Sequence, residues 1–149
     1  MSTAFSGEIV INAPRQKTWK VVTSADCFSK WVSVFQGDNV HFEGEFSEGN
    51  IIRFLDAAGD GVIAKVLEYR EAKRVEWEFV GVLLKGSENY TDAPETEGWR
   101  GLRESFALSG CNGGILLSVM SECPDVYSEY MNKTWPLALE KIKQLAEAA

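Results

Sequence analysis

The chain has 149 residues, of which 45% are hydrophobic and 25% are charged, a balance typical of a single globular domain. Its 22 acidic residues outnumber its 15 basic residues, which gives a net charge of −7. An acidic surface repels phosphate backbones and anionic lipid headgroups, so these totals argue against nucleic acid and membrane surfaces as partners. We predict one domain that spans residues 1–149.

The N-terminal residues show no signal-peptide pattern, and no apolar run approaches the roughly 20 residues that cross a bilayer. The three cysteines, Cys27, Cys111 and Cys123, follow neither a disulfide nor a metal-binding spacing. We therefore expect reduced thiols, a cytoplasmic location and no membrane insertion.

The first quarter of the chain predicts a strand followed by two short helices. Apolar residues alternate over 5–12, which is the period of a β-strand. Pro14 suits the first turn of a helix, and the apolar residues after it recur three and four apart. Ser24 or Asp26 is a suitable cap for a second helix that runs to Lys30.

From Val40 onward the period changes to two, and tight turns separate successive strands, which predicts an antiparallel meander. Residues 80–98 are polar and rich in turn formers, so we predict a long loop there with a possible short element at 82–84. Residues 100–108 and 114–122 form the last predicted hairpin.

The C-terminal segment predicts a long helix with one apolar face. Pro124 and Asp125 begin it, with Asp125 as a plausible cap, and Pro136 should kink the helix or delay its regular start. Together these elements predict an α+β fold in which a curved antiparallel sheet of six or seven strands wraps around the C-terminal helix. Such a shape tends to enclose an apolar cavity. The residues predicted to line it are Trp31, Phe42, Phe54, Val66, Trp77, Phe79, Phe106, Leu117, Met131 and Trp135.

Three residues are candidates for chemistry. His41 is either a catalytic group or a solvated residue on a strand. Glu104 shares a strand face with apolar neighbours, so its carboxyl either enters the cavity with a raised pKa or lies at the sheet edge and pairs with Arg53 or Arg103. Arg53 is the third candidate. With one histidine and no Cys-x-x-Cys motif, the sequence predicts no metal site, and no motif indicates a cofactor.

The order and spacing of several soft motifs resemble the START-like (SRPBCC) superfamily over nearly the whole chain. The branch it most resembles is the family named after the C-terminal domain of the activator of the heat-shock-protein-90 ATPase. The chain departs from the pattern of this family at Asn50, where the family often has a second glycine, and at Glu71, where it usually has a proline. The motifs are Ile11-x-Ala13-Pro14, Thr18-Trp19, Trp31, the segments 48–54, 64–68, 73–77 and 113–117, and Trp135 with Leu139 and Leu145.

This resemblance implies a helix-grip fold and, for many members, an apolar small molecule held between sheet and helix. The leading hypothesis is therefore a protein that binds a hydrophobic or amphipathic small molecule. One alternative is a cofactor-free cyclase or lyase, which requires at least two acid–base groups in one pocket. Another is an interaction domain with a chaperone as its partner. The sequence favours a binding protein over an enzyme and leaves monomer and homodimer open.

Overall fold

The computed structural model describes residues 2–35, 39–90 and 98–148. The strands, in chain order, are β1 (Ser2–Ile11), β2 (His41–Glu43), β3 (Ile51–Leu55), β4 (Gly61–Arg70), β5 (Arg74–Leu84), β6 (Ser87–Asn89), β7 (Arg103–Cys111) and β8 (Gly114–Pro124). The helices are α1 (Arg15–Thr23), α2 (Ala25–Trp31) and α3 (Ser128–Glu147), with 3-10 turns at Val32–Val34 and Asp125–Tyr127.

All described strands pair antiparallel in one sheet. Seven of them follow the order β1-β8-β7-β5-β4-β3-β2, and β6 pairs with the end of β5. The β4–β5 register shifts twice, between Ile63 and Ala64 and between Val66 and Glu68. Irregularities of this kind bend a strand and increase its twist, which favours a curved sheet. The predicted helix-grip fold is confirmed.

The long helix α3 fills the concave face of the sheet with its apolar stripe. Trp135, Ala138 and Ile142 are almost completely buried, as their spacing predicts. The helix begins at Ser128 after a 3-10 turn and continues through Pro136. Asp125 does not cap α3, because its carboxylate instead accepts a hydrogen bond from the hydroxyl of Thr3 in β1. This contact ties the start of the helical segment to the sheet.

The prediction of a long loop over residues 80–98 is wrong for the first half of that segment. Strand β5 continues to Leu84, and Val82 and Leu83 are buried. Lys85 and Gly86 both have positive φ, which produces a tight turn into β6. The turn was hard to predict because lysine seldom occupies such a conformation. Residues 91–97 of the predicted loop lie outside the described residues.

Gly61, at the start of β4, is required by a close backbone approach. A Cβ atom at this position would lie 1.8 Å from the carbonyl oxygen of Phe54. We expect Gly61→Ala to lower the free energy of unfolding by about 1–3 kcal/mol, because strand β3 must move to make room. Gly110→Ala is the matched control, since a Cβ there meets nothing within 4 Å. Urea denaturation measures both, and equal stability of the two variants would contradict the prediction.

Candidate functional site

A cavity of about 270 Å³ lies between the sheet and α3. One wall comes from α2, the 3-10 turn after it and α3, and the other comes from strands β3, β4, β5 and β7. The helical wall consists of Phe28, Trp31, Val32, Phe35, Met131 and Trp135. The sheet wall and the rim consist of Val40, Phe54, Leu55, Asp56, Asp60, Gly61, Val62, Phe79, Trp99 and Glu104.

Half of the residues predicted to line a cavity do line this one. They are Trp31, Phe54, Phe79, Met131 and Trp135. The other five do not line it: Phe42, Val66, Trp77, Phe106 and Leu117. Phe42 instead packs against Phe28, which does line the cavity, with ring centroids 5.1 Å apart. The remaining four are at most 3% exposed, in the part of the concave face that core side chains already fill.

An aromatic cluster supports one side of the cavity. The ring of Phe106 lies 5.9 Å from that of Trp31, 5.6 Å from Trp77 and 5.9 Å from Trp135, measured between centroids. The indole N–H groups of Trp77 and Trp135 are buried without a hydrogen-bond partner among the described residues. Each such donor costs about 1–3 kcal/mol, so this cluster combines dense packing with unsatisfied polar atoms.

Glu104 in β7 brings a carboxyl group into this apolar environment. Its cross-strand neighbours are Trp77 on β5 and Ser121 on β8, and the Ser121 hydroxyl donates a 2.6 Å hydrogen bond to Oε2. Burial raises the pKa of Glu104 to about 7, and the Ser121 hydrogen bond opposes that rise only in part. The side chain of Glu104 lines the cavity and keeps partial solvent accessibility.

The pKa of a second group near Glu104 is also raised. Cys123 lies two residues beyond Ser121 on the same face of β8 and is 2% exposed. Burial raises the pKa of its thiol, and the charges of Asp125 and Glu104 add to that effect. Its thiol is therefore held in the neutral form at physiological pH, as is typical of a structural cysteine.

The other two candidate residues do not join Glu104. Arg53 faces away from the cavity and binds Glu88 through Nε at 2.8 Å and Nη2 at 2.6 Å. His41 lies outside the cavity with 40% of its side chain exposed, and its Nε2 lies 3.7 Å from a carboxylate oxygen of Glu43. Glu104 also forms no ion pair with Arg53 or Arg103 in the part of the chain that the structure describes. The alternative placement of Glu104 at the sheet edge is therefore not the one observed.

The rim of the cavity contains two aspartates, Asp56 and Asp60, which are not among the residues predicted from the sequence to line it. Asp56 Oδ1 accepts hydrogen bonds from the amides of Ala58 at 2.9 Å and Asp60 at 3.1 Å. Asp60 Oδ1 accepts a 2.8 Å hydrogen bond from the amide of Lys85. The β3–β4 turn is thereby bonded to the β5–β6 turn at the edge of the cavity.

Two residues that line the cavity, Phe28 and Trp99, were not among those predicted from the sequence. Phe28 lies three residues before Trp31 on the same helix face, so helical spacing could have identified it. Trp99 packs edge-on against Phe79 at a centroid distance of 5.7 Å. It follows a polar, turn-rich stretch, and no local pattern indicates that its ring returns to the cavity.

Within residues 2–35, 39–90 and 98–148, no group of three or more His, Cys, Asp or Glu side chains could hold a metal ion. All three cysteines fall in these ranges and none forms a disulfide. No described helix combines the length and apolar character needed to cross a membrane.

Solved structures share this arrangement of sheet and helices. The Aha1 dimer from Colwellia psychrerythraea superposes with a TM-score of 0.71 at 22% identity, over 97% of this chain and 96% of the other. Protein MLL2253 from Mesorhizobium loti gives a TM-score of 0.72 at 16% identity, over 96% of each chain. This chain has their fold. DynU16, a protein of the dynemicin biosynthetic locus, gives 0.68 at 18% identity, over 97% of this chain but 47% of DynU16.

These likenesses confirm the predicted fold, and an Aha1 structure is among the proteins that share it. No protein-family model and no curated protein matches the sequence. Fold alone does not determine function, which depends on the residues of the site itself.

Proposed function

We propose that this protein binds a hydrophobic or amphipathic small molecule in the cavity between the sheet and α3. The observation that carries the proposal is the cavity itself, which has aromatic walls, the carboxyl group of Glu104 in its sheet wall and two aspartates at its rim. Ligand sites are typically concave and mainly apolar, with a few polar groups that fix orientation.

The size of the cavity limits the ligand. Its volume of about 270 Å³ lies just below the range of about 300–1,000 Å³ that is usual for drug-sized ligands. We therefore expect a small aromatic or short aliphatic molecule rather than a sterol or a long acyl chain.

A substitution that fills the cavity tests the proposal. Val62 lines the cavity from β4, so we expect Val62→Phe to weaken the binding of indole and 2-phenylethanol at least tenfold. Val10→Phe is the matched control, because Val10 is 45% exposed on β1 and does not line the cavity. Isothermal titration calorimetry and the ligand-dependent shift in Tm measure the effect. If neither probe binds the unsubstituted protein, or if Val62→Phe binds as well, the proposal fails.

A cofactor-free cyclase or lyase is a second candidate, and one observation favours it. A carboxyl group with a pKa of about 7 inside an apolar cavity is suited to general acid–base catalysis. Against it, His41 and Arg53 lie outside the cavity, so Glu104 is the one of the three predicted candidates that lines it.

Assembly and location are also proposals. We infer a homodimer from the likeness to the Aha1 dimer, which light scattering on the purified protein can test. The alternative of an interaction domain with a chaperone partner rests only on the same structural likeness to Aha1. The three unpaired cysteines are consistent with a reducing, cytoplasmic environment.

A further inference from the structure

The charged side chains of the cavity all have the same sign. Glu104 lies in its wall, and Asp56 and Asp60 line its rim. Among the described residues that line it, there is no lysine, arginine or histidine. An anionic ligand would therefore meet uncompensated repulsion, whereas a cation would be attracted by the local charge and by the net charge of the whole chain.

The carboxyl group of Glu104 can accept further hydrogen bonds from a ligand. Its Oε2 accepts the 2.6 Å hydrogen bond from Ser121, and the described residues supply no donor to its Oε1. An ionised carboxylate has about four acceptor positions, and a primary ammonium has three N–H donors. Hydrogen bonds between such charged partners are about twice as strong as neutral ones.

Aromatic rings from the helices line the same cavity as this carboxyl. Trp31 and Trp135 form the helical wall with centroids 6.2 Å apart, and Trp135 is 3% exposed with an indole N–H that lacks a partner among the described residues. Ring faces attract ammonium groups by about 0.5–2 kcal/mol, and the attraction grows when water is excluded. The same rings also pack well against an aryl group.

We propose that the cavity selects a small primary amine with an aromatic body, whose ammonium group donates to the Glu104 carboxylate while its ring packs against Trp31 and Trp135. The inference rests on the proposed function and deepens it by naming the ligand class. The volume of about 270 Å³ accommodates on the order of ten non-hydrogen atoms, taking about 30 Å³ for each as in liquid water. This is the size of an arylethylamine.

Three probes that share one skeleton test the ligand class. They are 2-phenylethylamine, 2-phenylethanol and 3-phenylpropionate, titrated calorimetrically at about pH 8, where the Glu104 carboxyl is mostly ionised. We expect the amine to bind at least tenfold more tightly than the alcohol, and the carboxylate to bind most weakly. Glu104→Gln should remove the preference for the amine, whereas Glu48→Gln, at an exposed position in the β2–β3 turn, should keep it.

The outcomes separate the two proposals. If the alcohol or the carboxylate binds the unsubstituted protein as tightly as the amine, the amine assignment is overturned while cavity binding stands. If none of the three binds, both proposals fail. The probe series on the unsubstituted protein decides the question even if Glu104→Gln does not fold. The indole N–H signals of Trp31 and Trp135 should shift on amine binding, and unchanged signals would overturn the assigned location.

Discussion

Trp135→Ala is expected to lower the free energy of unfolding by about 3–5 kcal/mol, the usual cost of truncating a buried aromatic residue. Trp135 is 3% exposed and lies at the centre of the interface between α3 and the sheet. Its ring centroid is 5.1 Å from that of Phe35, 5.9 Å from Phe106, 6.0 Å from Phe5 and 6.2 Å from Trp31. Removing it takes away contacts with three strands or turns and one helix at once.

Thermal and urea denaturation measure this effect, and for a chain of this length the loss should lower Tm by on the order of 10 °C. Leu137→Ala is the matched control on the same helix, because Leu137 is 59% exposed and its loss should stay within about 0.5 kcal/mol. Trp135→Phe should cost less than Trp135→Ala, since it keeps a ring and removes the unsatisfied indole donor. A Trp135→Ala variant as stable as the Leu137→Ala variant would show that α3 is not held by this cluster.

The second large effect is a dependence of stability on pH that originates at Glu104. The folded-state pKa of this carboxyl is about 7, against 4.5 when unfolded. Below pH 4.5 the group is protonated in both states and contributes no difference. Between about pH 4.5 and 7 the unfolded state loses its proton first, so folding becomes progressively less favourable as pH rises. Above pH 7 the penalty is constant at up to about 3 kcal/mol.

Glu104→Gln removes this titration while it keeps an oxygen for the Ser121 hydroxyl. We therefore expect the variant to be more stable than the unsubstituted protein at pH 8, by up to about 3 kcal/mol, and the difference to vanish near pH 4.5. Urea denaturation at a series of pH values measures it, with Glu48→Gln as the control for the loss of one acidic side chain. A stability difference that does not change with pH would contradict the assigned pKa.

Much of the fold could be predicted because the relevant signals are local. The two-residue period placed Glu104 and Phe106 on one face of β7, and the helical spacing of Trp135 and Ile142 identified the buried face of α3. Neither inference needs information from distant parts of the chain. The same reasoning put Glu104 on the face of Phe106 but left open whether its carboxyl enters the cavity or lies at the sheet edge.

The extent of the cavity could not be predicted in the same way. Whether an inward-facing side chain lines the cavity or is buried in the core depends on which side chains from other elements pack against it. Trp77 faces inward like Phe79, yet Phe106 and Phe54 cover its ring, whereas Phe79 reaches the cavity. The rim residue Asp60 was not predicted either, since its carboxylate bonds to the amide of Lys85 in the β5–β6 turn, 25 residues away.

That contact links two turns into a single mechanical unit. Lys85 donates its amide to Asp60, and Gly86 donates its amide to the carbonyl of Gly59 at 2.9 Å. Neither turn can swing outward alone without breaking both bonds, so any widening of the cavity mouth on this side must displace the two together. The protection of these two amides against hydrogen exchange would then report how often the pair of turns opens.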